Sequence, residues 1–221
     1  NNSGVVASNS SAAGTARWGA MATAFGSSGQ AVIGYGDSGN GSYTNLSNIV
    51  SNSGVISSDV TGVGTARSDG VGVGYGVGLA LFAFGYRGSG TYENVKNLVN
   101  SSGVVSADVT GVGTAGAGLG ASTYGSSGQA VIAFGYRGGN TNTRNLVNSS
   151  GVIASDVSGA GTARSEMSAA SYGGDKGIMA YGGAQLNISN LVNTSGVISA
   201  DVTGVGTGRR QLAAAGYSYS A

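Results

Sequence analysis

An aspartate followed eight residues later by an arginine recurs along this chain: Asp59 and Arg67, Asp156 and Arg164, Asp201 and Arg209. In another copy Asp108 is kept but Gly116 replaces the arginine, and the first copy ends on Arg17 with Asn9 in place of the acid. A carboxylate and a guanidinium at fixed spacing suit a charge-assisted, bidentate brace. Arg17, Arg67, Arg164 and Arg209 with Asp59, Asp108, Asp156 and Asp201 are therefore read as structural, with an anion- or sugar-binding ring of arginines as the alternative. A second set of polar and aromatic residues falls in four segments of variable length, residues 37–48, 86–97, 136–145 and 183–190. It comprises Tyr43, Tyr86, Arg87, Tyr92, Tyr136, Arg137, Asn140, Arg144 and Gln185. Flat rings stack on ligands, while amides and guanidinium groups make paired polar contacts, so these nine are the candidate ligand-binding residues.

Other chemistry is disfavoured by composition. The 221 residues include no His, Cys or Pro. No Ser–His or Cys–His nucleophile can be assembled, no thiolate or imidazole can hold a metal, and no closely spaced carboxylate pair stands out. A non-catalytic protein without metal or cofactor is expected. Ten basic and nine acidic residues give a net charge of +1, which offers no electrostatic footprint for nucleic acid. No apolar run approaches the ~18 residues of a membrane span, so membrane insertion is not expected. The chain starts at Asn1 and not at Met, which suggests processing or a longer parent chain.

The elements that must carry these residues are repeats. GVISSDVTGVGTAR at residues 54–67 recurs at 4–17, 103–116, 151–164 and 196–209, so units begin at Gly4, Gly54, Gly103, Gly151 and Gly196. These starts are 50, 49, 48 and 45 residues apart, and nearly all the variation lies in the four polar segments named above. Gly makes up 44 of the 221 residues, yet the apolar clusters keep their register, unlike a disordered tract.

Each unit reads as four short strands. Strand a follows the arginine (residues 20–25 and 212–217) and is made of small residues. Strand b follows a Gly-rich turn (residues 30–36 and 129–135) and is bulky and apolar. Strand c covers residues 44–50 or 187–192, and strand d is GVISSDV itself. Strands a and d occur five times, b and c four times. Four strands per repeat of this length predict an all-β single domain of residues 1–221, a β-propeller of about five four-stranded blades. Its ring would be closed by pairing the N-terminal strand d with the C-terminal strand a, the missing b and c strands lying upstream or in another molecule. A four-bladed ring with frayed ends and a β-solenoid are the alternatives. Few charges predict stability that depends weakly on salt and pH.

The Arg before strand a, the aromatic-Gly turn and FGSSGQAVIGYG resemble kelch-type propeller repeats. The match departs from them in lacking a regular double glycine and a strand-d Trp, the one Trp being Trp18. NLVNSSGVVSADVTGVGTA is similar to repeats of virion and tail-fibre proteins of tailed bacteriophages. That resemblance implies a protein of the virion surface, outside the cell. The function expected is an adhesin that recognises a host-surface glycan or protein through the variable loops. The alternative is a structural or decoration domain of a capsid or tail fibre that contacts other virion subunits, with homo-oligomerisation in either case.

Overall fold

A computed structural model describes residues 13–216. It contains fourteen strands in four antiparallel sheets, each built on strands a, b and c of one copy with strand d of the next copy at its edge. The first sheet orders β1 (Met21–Phe25), β2 (Gln30–Gly34) and β3 (Ser47–Val50). The second orders β4 (Val71–Tyr75), β5 (Leu79–Tyr86), β6 (Tyr92–Val99) and the two-residue β7 (Val109–Thr110). The third holds β8 (Gly120–Tyr124), β9 (Gln129–Ala133) and β10 (Arg144–Val147). The fourth holds β11 (Ser168–Tyr172), β12 (Lys176–Ala180), β13 (Ile188–Val192) and the short β14 (Val202–Thr203). Strands a, b and c thus form where the repeat pattern places them. Strand d is mostly reduced to isolated bridges such as Val50 with Ile56 and Ser47 with Val60. The reason is local: Asn48 of strand c donates to the Ser57 carbonyl, and the Ser57 hydroxyl accepts from Ile49 N–H, so side chains replace part of the main-chain ladder.

No sheet has a core of its own. Three apolar clusters lie between sequence-adjacent sheets. Met21, Phe25 and Val32 of the first meet Phe82 and Val99 of the second. Val73, Leu81 and Phe84 of the second meet Ile132 and Ile153 of the third. Val131 and Phe134 of the third meet Met179 and Val192 of the fourth. Bulky strand b supplies most of this filling, as its composition suggests. Small residues in strand a allow the a strands to approach: a Cβ at Gly72 would come within 2.5 Å of the Ala22 carbonyl oxygen. Such nearest-neighbour packing is the energetic form of a repeat protein.

The five-bladed ring expected from the repeat count is corrected by this arrangement. There are four sheets, they are not closed, and among the described residues no fourth cluster joins the last sheet to the first. Residues 212–216 carry no strand, and the strand d at 4–9 (with Asn9) and Tyr217 lie outside the described residues. Ring closure needs a set angle between each sheet and the next, which repeat length does not encode. Among the described residues no helix is long and apolar enough to cross a membrane.

Candidate functional site

The recurring Asp and Arg form a bracket at each sheet, but an arginine is joined to the Asp of the next copy and not to the one eight residues before it. Asp108 accepts from Thr65 N–H at 2.9 Å and from its hydroxyl at 2.7 Å, tying the end of strand d to the segment that opens strand a of the same sheet. Asn97 of β6 joins them: its amide donates to Asp108 at 2.9 Å, and its oxygen accepts from Arg67 at 2.7 Å. The Arg67 guanidinium also donates to the carbonyls of Phe84 and Thr65. It lies 4.1 Å over the Tyr35 ring of the preceding unit, so one side chain braces its own sheet and clamps the neighbour. Asp59 with Thr15, Asn48 and Arg17 repeats the bracket, as does Asp201 with Thr162, Asn190 and Arg164. Arg164 stacks on Phe134 and Arg209 on Tyr181. Tyr35, Phe84, Phe134 and Tyr181 all have φ near +60°, a left-handed turn that sets each ring under the next guanidinium.

The unit that lost its arginine recovers it from elsewhere. Arg137, nineteen residues before Asp156 in a variable loop, pairs with Asp156 at 3.0 Å and donates to the Thr114 carbonyl at 2.7 Å and Asn145 at 2.9 Å. Its guanidinium stands 5.0 Å over Phe84. Arg67 and Arg164 meet the equivalent Thr carbonyl and Asn in their own sheets, and Arg164 the equivalent Asp. Arg137 approaches from a different backbone position, and its Nε finds no partner where Arg67 Nε meets a carbonyl. Only 4% of its side chain is exposed, so the candidate ligand-binding role of Arg137 gives way to a structural one.

The face where the variable loops meet the strand-a openings forms a cleft of about 830 Å3. Its floor is a main-chain ladder across the units. Asp69 N–H donates to Gly19, Gly118 to Asp69, Glu166 to Gly118, and Gln211 to Glu166, all through carbonyls at 2.7–2.9 Å. The five residues share φ between +56° and +63°. They sit two positions after each bracket arginine or its Gly116 replacement. The side chains there vary (none, Asp, none, Glu, Gln), as do those of the positions on either side, so no repeated sequence signal marked this cleft floor and the loop-centred reading missed it. Trp18, Leu119, Met167 and Leu212 add apolar surface.

One wall of the cleft is a row of tyrosines. Tyr43 meets Tyr86 edge-on at 6.0 Å, Tyr86 meets Tyr92 at 5.2 Å, and Tyr92 meets Tyr136 at 5.7 Å. The last three line the cleft, drawing together two of the variable loops. Burial and the neighbouring Tyr136 and Tyr86 hydroxyls push the Tyr92 pKa up. Asp69 is half-buried at the floor. Its carboxyl is pushed above the usual range by burial, which outweighs the Ser68 hydroxyl bond, with lesser repulsion from Glu166 and Asp37.

The remaining candidates are dispersed. Arg87 is exposed and pairs with Glu93 at 2.5 Å. Arg144 donates to the Gly196 carbonyl of the next unit at 2.9 Å, as Lys96 does to Gly151 at 2.7 Å, so both are pins between sheets. Asn140 is exposed beside Tyr136, to which it is bridged, and Gln185 is exposed at φ +60° in the fourth unit. None of these four lines the cleft. Among the described residues no three His, Cys, Asp or Glu side chains gather into a metal-binding group. No protein-family model matches the chain, and no curated protein is significantly similar to it.

Proposed function

We propose that this protein is a non-catalytic binding module whose tyrosine-walled cleft takes a glycan. The observation that carries the proposal is the continuous row Tyr43–Tyr86–Tyr92–Tyr136, whose last three rings open on a cleft floored by polar side chains. Aromatic faces stack on the apolar face of a sugar ring, and hydroxyls, carboxylates and amides bond its polar edge. A setting on a virion surface, facing a host glycan or protein, rests on the resemblance of the repeat to tailed-phage virion proteins. The test is a glycan-array screen of the protein beside a Tyr86→Ala/Tyr92→Ala variant of unchanged melting temperature. Binding that the variant loses supports the reading. A well-folded protein that binds no glycan, or a variant that binds as well as the parent, overturns it.

A second reading, a structural domain in contact with other subunits, is favoured by one feature. Val55, Val60 and Val63 have the equivalents Val104, Val109 and Val112 in the next unit and Val197, Val202 and Val205 in the fourth, all between 45% and 91% exposed. This apolar series along the outer strand d is what an interface with a second copy would use. Light scattering of the parent and a Val60→Lys/Val109→Lys variant tests it: a monomer at all concentrations rules out self-assembly through this edge.

A further inference from the structure

The charge of the cleft narrows the ligand class. Its ionisable side chains other than tyrosines are both acids, Asp69 and Glu166, and no Lys or Arg lines it. Glu166 has a partner at the rim, Arg210, whose guanidinium lies 3.5 Å away and is 52% exposed. Asp69 has none: its carboxylate accepts from the Ser68 hydroxyl at 2.7 Å, and among the described residues no cation pairs with it. A third acid, Asp37, is buried behind it, with one carboxylate oxygen held by Gly39 N–H. Tyr86, Tyr92 and Tyr136 line the same cleft, and the face of a phenol ring attracts cations. Acids on the floor and π-faces on the wall favour a positive group and disfavour an anion. The whole protein carries a net charge of only +1, so this preference is built into the cleft and does not come from the overall field.

We propose that the glycan bound in this cleft carries a protonated amino group, as in a glucosamine oligosaccharide with free amines, and that Asp69 is its counter-ion. This inference rests on the glycan-binding reading above and adds the ligand's charge to it. The ammonium takes the place that a Lys or Arg would fill beside Asp69, within reach of the tyrosine faces. The sugar ring stacks on Tyr86, Tyr92 or Tyr136. A carboxylated or sulfated sugar would meet the uncompensated Asp69 charge and be rejected.

Trp18 gives a direct readout, since it is the one tryptophan of the chain and lines the cleft. The full protein is titrated, with Trp18 fluorescence as the signal, with a glucosamine tetramer and with the same tetramer fully N-acetylated. The buffer is mildly acidic, to keep the amines protonated. The expected preference for the free amine is about tenfold, the combined size of one half-exposed ion pair and one cation–π contact. Asp69→Asn, which keeps the shape of the side chain, should bring the two tetramers to within about twofold by weakening only the charged one. Glu166→Gln is the second variant, and a smaller loss is expected because Glu166 already has Arg210. Equal or tighter binding of the acetylated tetramer overturns the inference and leaves the glycan reading standing, as does an unchanged preference in Asp69→Asn. Equal binding of a lysine tetrapeptide overturns the sugar assignment. If neither tetramer binds while the array finds another glycan, the inference falls alone; if the array finds none, both fall.

Discussion

Arg137→Ala tests the reasoning about the bracket, because the sequence motif gives this residue no structural role. The substitution removes a guanidinium whose side chain is 4% exposed, with its ion pair to Asp156 at 3.0 Å and its bonds to Thr114 and Asn145. Asn145, fully buried, loses the donor to its oxygen, and the Phe84 ring loses its cation. Removing one partner of a buried charged network costs roughly 3–5 kcal/mol, and a desolvated cation–π contact is worth up to about 2 kcal/mol of that. Asp156 is part-exposed and water recovers some of its loss, so the lower end, about 3 kcal/mol, is expected. At about 2–4 °C per kcal/mol for a chain of this size, the melting temperature should fall by on the order of 10 °C. Calorimetry or chemical denaturation measures it. The decisive arm restores the motif. Gly116→Arg alone should not stabilise, since a Cβ there lies 2.7 Å from Arg137 Cγ. In the Arg137→Ala background that obstacle is gone, and although the Tyr136 carbonyl oxygen at 2.9 Å must still give, Gly116→Arg should recover more than half the loss. A single variant within about 0.5 kcal/mol of the parent, the usual range for surface substitutions, would refute the bracket argument.

Three further outcomes are expected. Hydrogen bonds from Asn48 and Thr15 hold the Asp59 carboxyl below its usual range; in Asp108, Asp156 and Asp201 burial acts upward but Thr and Asn bonds outweigh it. A depressed folded-state pKa stabilises above the unfolded value of about 4, and the stabilisation is lost as pH falls through the folded values, so melting temperature should hold from about pH 7 to 5 and drop below about pH 4. This replaces the weak pH dependence expected from the low charge content, and a flat thermal-shift profile down to about pH 2 contradicts it. Asn97→Ala should cost at least about 2 kcal/mol in denaturant unfolding, because fully buried Asn97 bonds Arg67, Ser106 and Asp108 at once and its loss strands the first; a neutral result removes it from the bracket. Gly111→Ala should destabilise by about 1–3 kcal/mol, since the new Cβ runs into the Asn94 carbonyl oxygen. Gly139→Ala, with nothing within 4 Å and no positive φ, should change stability by less than about 0.5 kcal/mol.

What could be read from the sequence was local and periodic. The recurrence of Asp and Arg marked a brace, though not which Asp each Arg meets, and the alternation of small strand a with bulky strand b marked which strands approach closely and which fill the space between sheets. Both follow from covalent order, because outside the variable loops each copy keeps its spacing and puts the same side chains at the same strand positions. The sequence also confined the length variation to the loops that now supply the tyrosine wall. Only the tertiary structure decided the rest. Whether repeated sheets close into a ring depends on the angle from one sheet to the next, a sum of packing details at each interface that no repeat length encodes. Arg137 could replace the arginine absent at Gly116 because space, not sequence, brought it against Gly116, where an added Cβ would lie 2.7 Å from Arg137 Cγ. Asp69 and Glu166, about two repeats apart in the chain, came to share one cleft with the tyrosines only when the strand-a openings were bonded into a ladder across the units.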